Sequence, residues 1–228
     1  MAFRKKTGLM LNQNPDILIV PECEHSDKIN FGLFDQKPNN PIWKGDNQNK
    51  GLGIFSFGNY KIRLLDIYNP NIKIILPLHV TGEFIDFNLI AIWTNNKSDP
   101  DGQYVEQVWK AINFYDNLIS EERILIAGDF NSNVIWDKTH RHGNHSDIVN
   151  SLKAKGIQST YHYYFNQDQG NERDHTLFFQ RKQTKTYHID YCFASQYFID
   201  RLQNVEIGSF NDWIKYSDHC PLTIDFKI

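Results

Sequence analysis

Apolar residues along this chain fall in short blocks, not in long periodic stretches. Residues 16–20 run into Ile-Leu-Ile-Val, and 123–127 hold a second such run; both predict short buried strands. Residues 53–57, 62–67, 72–80 and 84–93, rich in Ile, Leu and Phe, predict four more. Further strands are expected near 157–163, 176–180, 187–194, 205–208 and 221–226. Helical spacing occurs in three places. The first is 3–11, stopped by Asn14-Pro15. The second is 104–118, with Val105, Val108, Ile112, Tyr115 and Leu118 in helical register. The third is 147–155, with Ser146 as its N-cap and Gly156 just past its end. The polar stretch 35–50 reads as one long surface loop.

Many strands and few helices, without strict alternation, predict an α/β fold of two packed sheets with helices outside. No repeat, low-complexity tract or linker divides the chain, so residues 1–228 are expected to form one domain. The aromatic content of 14% fits a folded core. A net charge of −3 argues against gripping long duplex DNA by charge alone, although local patches and metal ions can supply attraction. The odd count of three cysteines, Cys23, Cys192 and Cys220, argues against a disulfide framework. No apolar run is long enough to span a membrane, and residues 8–13 are too short and polar for a signal-peptide core. The expectation is a cytoplasmic monomer.

Chemistry concentrates where acidic residues meet apolar strands. Glu22 follows Ile17-Leu18-Ile19-Val20-Pro21, Asp129 and Asn131 follow Ile124-Leu125-Ile126-Ala127-Gly128, and Asp218-His219 precedes the strand beginning at Pro221. Asp190 lies inside a strand. Mg²⁺ and similar hard cations take oxygen ligands and keep several waters, so a few carboxylates suffice. Phosphoester cleavage also needs a positioned water, a proton acceptor and donors for the equatorial oxygens. Glu22 can supply a ligand. Asp129 and Asn131, two apart on an extended segment, are expected to point the same way, one orienting water and the other donating to phosphate. His219 titrates near neutrality, and a buried Asp190 beside it would fix its tautomer and raise its pKa.

Plainer readings exist for each feature. Asp129 and Asn131 suit a turn, Asp218-His219 a cap, Asp190 a satisfied buried carboxylate, and Glu24 competes with Glu22. His188 is read as a structural hydrogen bonder. His140, His142 and His145 have a zinc-like composition but no closed spacing, and are read as a loop beside the site, in which Arg141 could meet a phosphate. The run 161–165 is read as sheet residues packing between layers, and the basic stretch 181–185 as a hairpin turn. The cysteines are read as small buried residues.

In order, Pro15-Asp16-Ile17-Leu18-Ile19-Val20-Pro21-Glu22, Gly128-Asp129-Phe130-Asn131, Ile189-Asp190-Tyr191 and Ser217-Asp218-His219 resemble the motifs of the endonuclease/exonuclease/phosphatase superfamily. The resemblance implies a four-layer α/β sandwich and Mg²⁺ or Mn²⁺ dependence. It implies Glu22 and Asp218 at the metal, with Asp129, Asn131, Asp190 and His219 as the catalytic set. It implies hydrolysis of phosphodiesters, most plausibly in DNA or RNA. The alternatives are a small or lipid-linked phosphate as substrate, or a binding protein that has lost turnover. Two departures stand out. The family's opening strand, which ends in Asn, has no counterpart before Phe3, and an upstream start to the protein is the favoured explanation. Trp93 stands where many relatives carry a His or Tyr that touches phosphate, and His79 on the preceding strand is a poor substitute.

Overall fold

The computed structural model describes residues 2–72, 74–95 and 103–228. Met1 and residue 73, the latter inside the expected strand 72–80, lie outside the described residues. In chain order the strands are β1 (Ile17–Cys23), β2 (Asn39–Asn47), β3 (Lys50–Ser56), β4 (Lys61–Leu64), β5 (Ile75–Thr81), β6 (Asp86–Trp93), β7 (Ile124–Asp129), β8 (Ile157–Ser159), β9 (Leu177–Phe178), β10 (Thr186–Tyr187), β11 (Asp190–Ser195), β12 (Leu202–Ile207) and β13 (Leu222–Phe226). The helices are α1 (Thr7–Leu11), α2 (Val105–Phe114), α3 (Asp116–Ile119), α4 (His145–Ala154), α5 (Thr160–Phe165), α6 (Gln196–Ile199) and α7 (Phe210–Trp213).

A six-stranded sheet in the order β4-β5-β6-β7-β11-β8 forms the centre, and β6–β7 is its parallel pair. Its middle strands are apolar along most of their length because both faces are covered. Along β6, Ile90 and Ile92 enter a core with Val108 and Ile112 of α2 and Ile148 and Leu152 of α4. The alternate residues Leu89, Ala91 and Trp93 enter a second core with Leu52 and Ile54 of β3. Period-two alternation thus serves two hydrophobic layers at once. Beyond the second core lie the three-stranded sheet β1-β3-β2 and the two-stranded sheet β12-β13. Phe3, Leu11, Leu18, Val20 and Phe55 seal the outer side of the three-stranded sheet with the N-terminal turns. The result is a mixed α/β sandwich.

In the strand ladders of the described residues β1 pairs with β3 alone and β13 with β12 alone. Both strands line one cavity of about 410 Å³, whose walls include Leu89, Leu125, Ala127 and Phe198.

Three expectations need correction. Residues 35–50 are not a loop: they contain β2, which forms a hairpin with β3. β2 is an edge strand with much of its length half-buried or exposed, so its polar residues tolerate solvent and hide the strand signal. Residues 160–165 form α5, not a strand; Tyr161 is buried while Tyr163 and Tyr164 are exposed, and Asn166 ends the helix in the left-handed region. The N-cap of α4 is Asn144, not Ser146, and its capping box closes through Asp147.

Candidate active site

The last residue of β7, Asp129, lies in register with Trp93 of β6 on one side and Asp190 of β11 on the other. Gly128 makes this approach possible. Its φ is +137°, and a Cβ there would stand 2.0 Å from the Ile92 carbonyl oxygen. Thr94 then clamps the turn: its N–H donates to the Asp129 carbonyl at 3.0 Å, and its hydroxyl donates to the Phe130 carbonyl at 2.7 Å.

Asp129 is 3% exposed. Its oxygens accept from the Asn131 backbone N–H at 2.9 Å and from Asn131 Nδ2 at 2.8 Å. The two residues meet through a tight turn, with Asn131 at φ +46°, and not through the extended segment expected. Asn131 Nδ2 also donates to the Thr94 carbonyl at 2.7 Å. Both amide hydrogens are therefore committed, and Asn131 positions Asp129 without presenting a free donor to a phosphate.

Asp190 Oδ2 lies 2.8 Å from His219 Nδ1. Thr176 sets this pair: its hydroxyl accepts from the N–H groups of Ile189 and Asp190 at 3.0 and 3.1 Å, while its carbonyl accepts from Cys220 N–H at 2.8 Å. A bridge between Leu177 and His219 continues the same frame. One donor atom each from Asp129, Asp190 and His219 falls within 4.8 Å of the others.

Burial pushes the Asp129 carboxyl up to about 8, and the nearby Asp190 charge adds to it. Burial disfavours the charged His219 ring, yet Asp190 and then Asp129 and Asp218 overcome this and raise its pKa to about 10. That shift favours the protonated His219 ring, whose Nδ1 faces Asp190. The oxygen-rich donor set suits a hard divalent cation, and a cation would offset the cost of burying the Asp129 carboxylate.

Glu22 and Asp218 border the same cavity but stand outside that three-residue set. Glu22 is 50% exposed, sits at φ +57° and pairs with Lys50 Nζ at 2.7 Å. Its competitor Glu24 serves the fold instead. It is buried, accepts from the N–H groups of Phe3 and Arg4 at 2.6 and 3.0 Å, and pairs with Arg4 Nη1 at 3.0 Å.

Several residues near the mouth were not singled out by sequence. Lys6 Nζ donates to Ser217 Oγ at 3.3 Å. Burial pushes its ammonium down, while Cys23, Asp218, Asp190 and Glu22 hold it up. Lys50 lies 5.5 Å over the Trp93 ring, and Trp93 is 2% exposed within the second core. Burial raises the Tyr104 phenol and the Asp129 charge raises it further, whereas Lys50 lowers it. Lysines carry no periodic signal, and both reach the mouth from chain segments distant from the acidic motifs.

The remaining candidates lie elsewhere or serve structure. His188 Nδ1 is 2.9 Å from the Asp174 carbonyl, and His79 Nδ1 is 3.0 Å from Asn88 Oδ1. His145 is buried against Ser132 Oγ at 2.8 Å, and Arg141 pairs with Glu106 at 2.8 Å. All three cysteines are free and buried, and burial pushes the Cys192 thiol up to about 12 and Cys220 to about 11. No helix among the described residues is long and apolar enough to cross a membrane.

No protein-family profile and no curated protein sequence matches the chain. Solved structures do. An AP endonuclease from Archaeoglobus fulgidus superposes with a TM-score of 0.70 at 16% identity, covering 99% of this chain and 94% of that one. A 3′-5′ exonuclease from Neisseria meningitidis superposes at 0.68 and 18%, covering 98% and 94%. The endonuclease domain of TRAS1, a telomere-specific non-LTR retrotransposon, superposes at 0.64 and 11%, covering 99% and 92%. The chain shares its fold with these three structures.

Proposed function

We propose that this chain is a divalent-metal-dependent phosphodiesterase acting on nucleic acid. The observation that carries the reading is the convergence of Asp129, Asp190 and His219 at the ends of β7, β11 and the turn before β13. Glu22 and Asp218 would hold Mg²⁺ or Mn²⁺, which would supply Lewis-acid polarisation of a phosphate oxygen. Asp129, held by Asn131, orients the attacking water and takes its proton. Asp190 keeps His219 charged and fixes its ring, so that Nε2 can donate to a non-bridging oxygen as charge develops there. Lys6, which reaches Ser217 Oγ, and Lys50, paired with Glu22, place two amines at a mouth that a polyanionic substrate must enter. The fold neighbours, an AP endonuclease, an exonuclease and a retrotransposon endonuclease, favour nucleic acid over a small phosphate.

The test is cleavage of plasmid DNA, single-stranded oligonucleotides and bis-p-nitrophenyl phosphate with Mg²⁺ or Mn²⁺, beside Asp129→Ala and His219→Ala. Metal-dependent cleavage lost in both variants is the expected result; removal of a general acid or base typically costs on the order of 10²–10⁴ in rate. Folded wild-type protein with metal and no cleavage of any substrate overturns the reading.

A further inference from the structure

Beside the mouth two aromatic rings stand in contact, Trp136 exposed and Tyr187 half-buried. Trp136 is 44% exposed, and its ring centroid lies 4.9 Å from that of Tyr187 at an angle of 51°. Ile135, next to Trp136, and Phe179, just past β9 on the hairpin that carries Tyr187, are exposed at 55% and 46%. Solitary exposed apolar residues are ordinary, whereas a contacting pair of large aromatic rings presents a surface.

The pair is held rigidly and close to the chemistry. Tyr187 is in register with Leu177, and Leu177 bridges His219. Two interstrand spacings therefore separate the Tyr187 and His219 backbones, about 10 Å. Trp136 lies on the segment that leaves Asp129 and Asn131. Asn133 ties both ring-bearing segments together: its Oδ1 accepts from Ile135 N–H at 3.1 Å, and its Nδ2 donates to the His188 carbonyl at 3.0 Å and to Glu172 Oε1 at 3.1 Å. Glu172 is itself fixed by His162 at 3.0 Å and by Gly170 N–H at 2.9 Å. Rings placed this way lose little freedom when a ligand lands on them. Lys182 and Lys185 stand exposed on the turn joining β9 to β10, and Lys138 stands exposed two residues past Trp136. Exposed lysines on the segments that carry the two rings match a ligand with a π-face and a phosphate backbone.

We propose that Trp136 and Tyr187 form a stacking platform for one unpaired nucleobase flanking the scissile phosphate, which directs the enzyme to single-stranded or locally unpaired nucleic acid. This rests on the phosphodiesterase reading for its role in cleavage, but the platform's binding can be read without turnover.

The experiment measures binding of a short fluorescent oligothymidylate in EDTA by anisotropy, then metal-dependent cleavage of unpaired and duplex substrates, for wild type, Trp136→Ala, Tyr187→Ala and the ring-preserving Trp136→Phe. The alanine variants are expected to weaken oligothymidylate binding by roughly tenfold. They should lower the unpaired-to-duplex ratio of kcat/KM mainly through KM, and Trp136→Phe should retain most of both. Ring-dependent binding with no cleavage by wild type keeps the platform and removes the phosphodiesterase reading. Cleavage whose unpaired-to-duplex ratio is the same in all four proteins removes the platform and keeps the phosphodiesterase. Absence of oligothymidylate binding by wild type, or equal binding by Trp136→Ala, also overturns the platform.

Discussion

Asn131 donates its backbone N–H to one oxygen of Asp129 and its side-chain amide to the other. The carboxylate is thus held at both ends by a residue two positions along the chain. Asn131 sits at φ +46°, a conformation Gly adopts freely and Ala does not. Asn131→Gly is expected to keep the turn and most of the stability, while leaving Asp129 free to rotate and lowering kcat. Asn131→Ala should lose activity and in addition about 1 kcal/mol of stability. Thermal melts beside kcat for both variants check this; equal melting of the two would rule out the backbone contribution.

Asp129 carries a pH signature. Its pKa in the folded protein is about 8 against an ordinary 3.8, so the native state holds this proton longer than the unfolded chain does. The corresponding stability is fully present below about pH 4 and is lost as pH rises through about 8. Asp129→Asn removes that titration. In metal-free buffer the variant should gain on wild type progressively from pH 4 to pH 8, by several degrees in Tm, and Mg²⁺ or Mn²⁺ should narrow the gap by stabilising wild type. A Tm difference that does not vary with pH would contradict the account.

At Gly128, a methyl group has no room. Its Cβ would lie 2.0 Å from the Ile92 carbonyl oxygen at a φ of +137°. Gly128→Ala is expected to cost about 3 kcal/mol or more through overpacking and backbone strain, which at this chain length is a drop of roughly 6–12 °C in Tm. A drop of only a degree or two would show that β6 and β7 can separate locally without harm.

β1 and β13 each have a hydrogen-bonded neighbour on one side, while β6 and β7 have neighbours on both. Amides of β1 and β13 that are not donated to β3 or β12 should exchange with deuterium orders of magnitude faster than those of β6 and β7. Uniformly slow exchange across all four strands would mean that the cavity between β1 and β13 is closed in solution.

The sequence disclosed most where burial was most complete. β6, β7 and β11 are covered on both faces, so their residues form unbroken apolar runs, and the acidic residues at their ends stand out against them. β2 escaped notice because an edge strand needs little apolar character. The aromatics of α5 misled because Tyr and Phe favour strands, yet Tyr161 found its buried place from a helix. At the site, Asp129, Asp190 and His219 were legible as residue types beside strands. Lys6, Lys50 and Thr176 were not, because their contacts join segments far apart in the chain. The Asp129–Asn131 contact was expected for the wrong reason, since a left-handed turn, not strand periodicity, brings the two together.

Glu22 and Glu24 are two residues apart and would point the same way in a regular strand. The irregular pairing of β1 with β3 between Val20 and Cys23, with Glu22 at φ +57°, gives them different partners: Glu22 meets Lys50, and Glu24 meets the N–H groups of Phe3 and Arg4. One glutamate faces the mouth; the other fastens the N-terminal turn that carries Lys6. Inserting or deleting a single residue here would not simply displace an acid. It would exchange the exposed glutamate at the mouth for a buried anchor and loosen the lysine at the same time, so a length change in this short kink is expected to cost more than a single side-chain replacement within it.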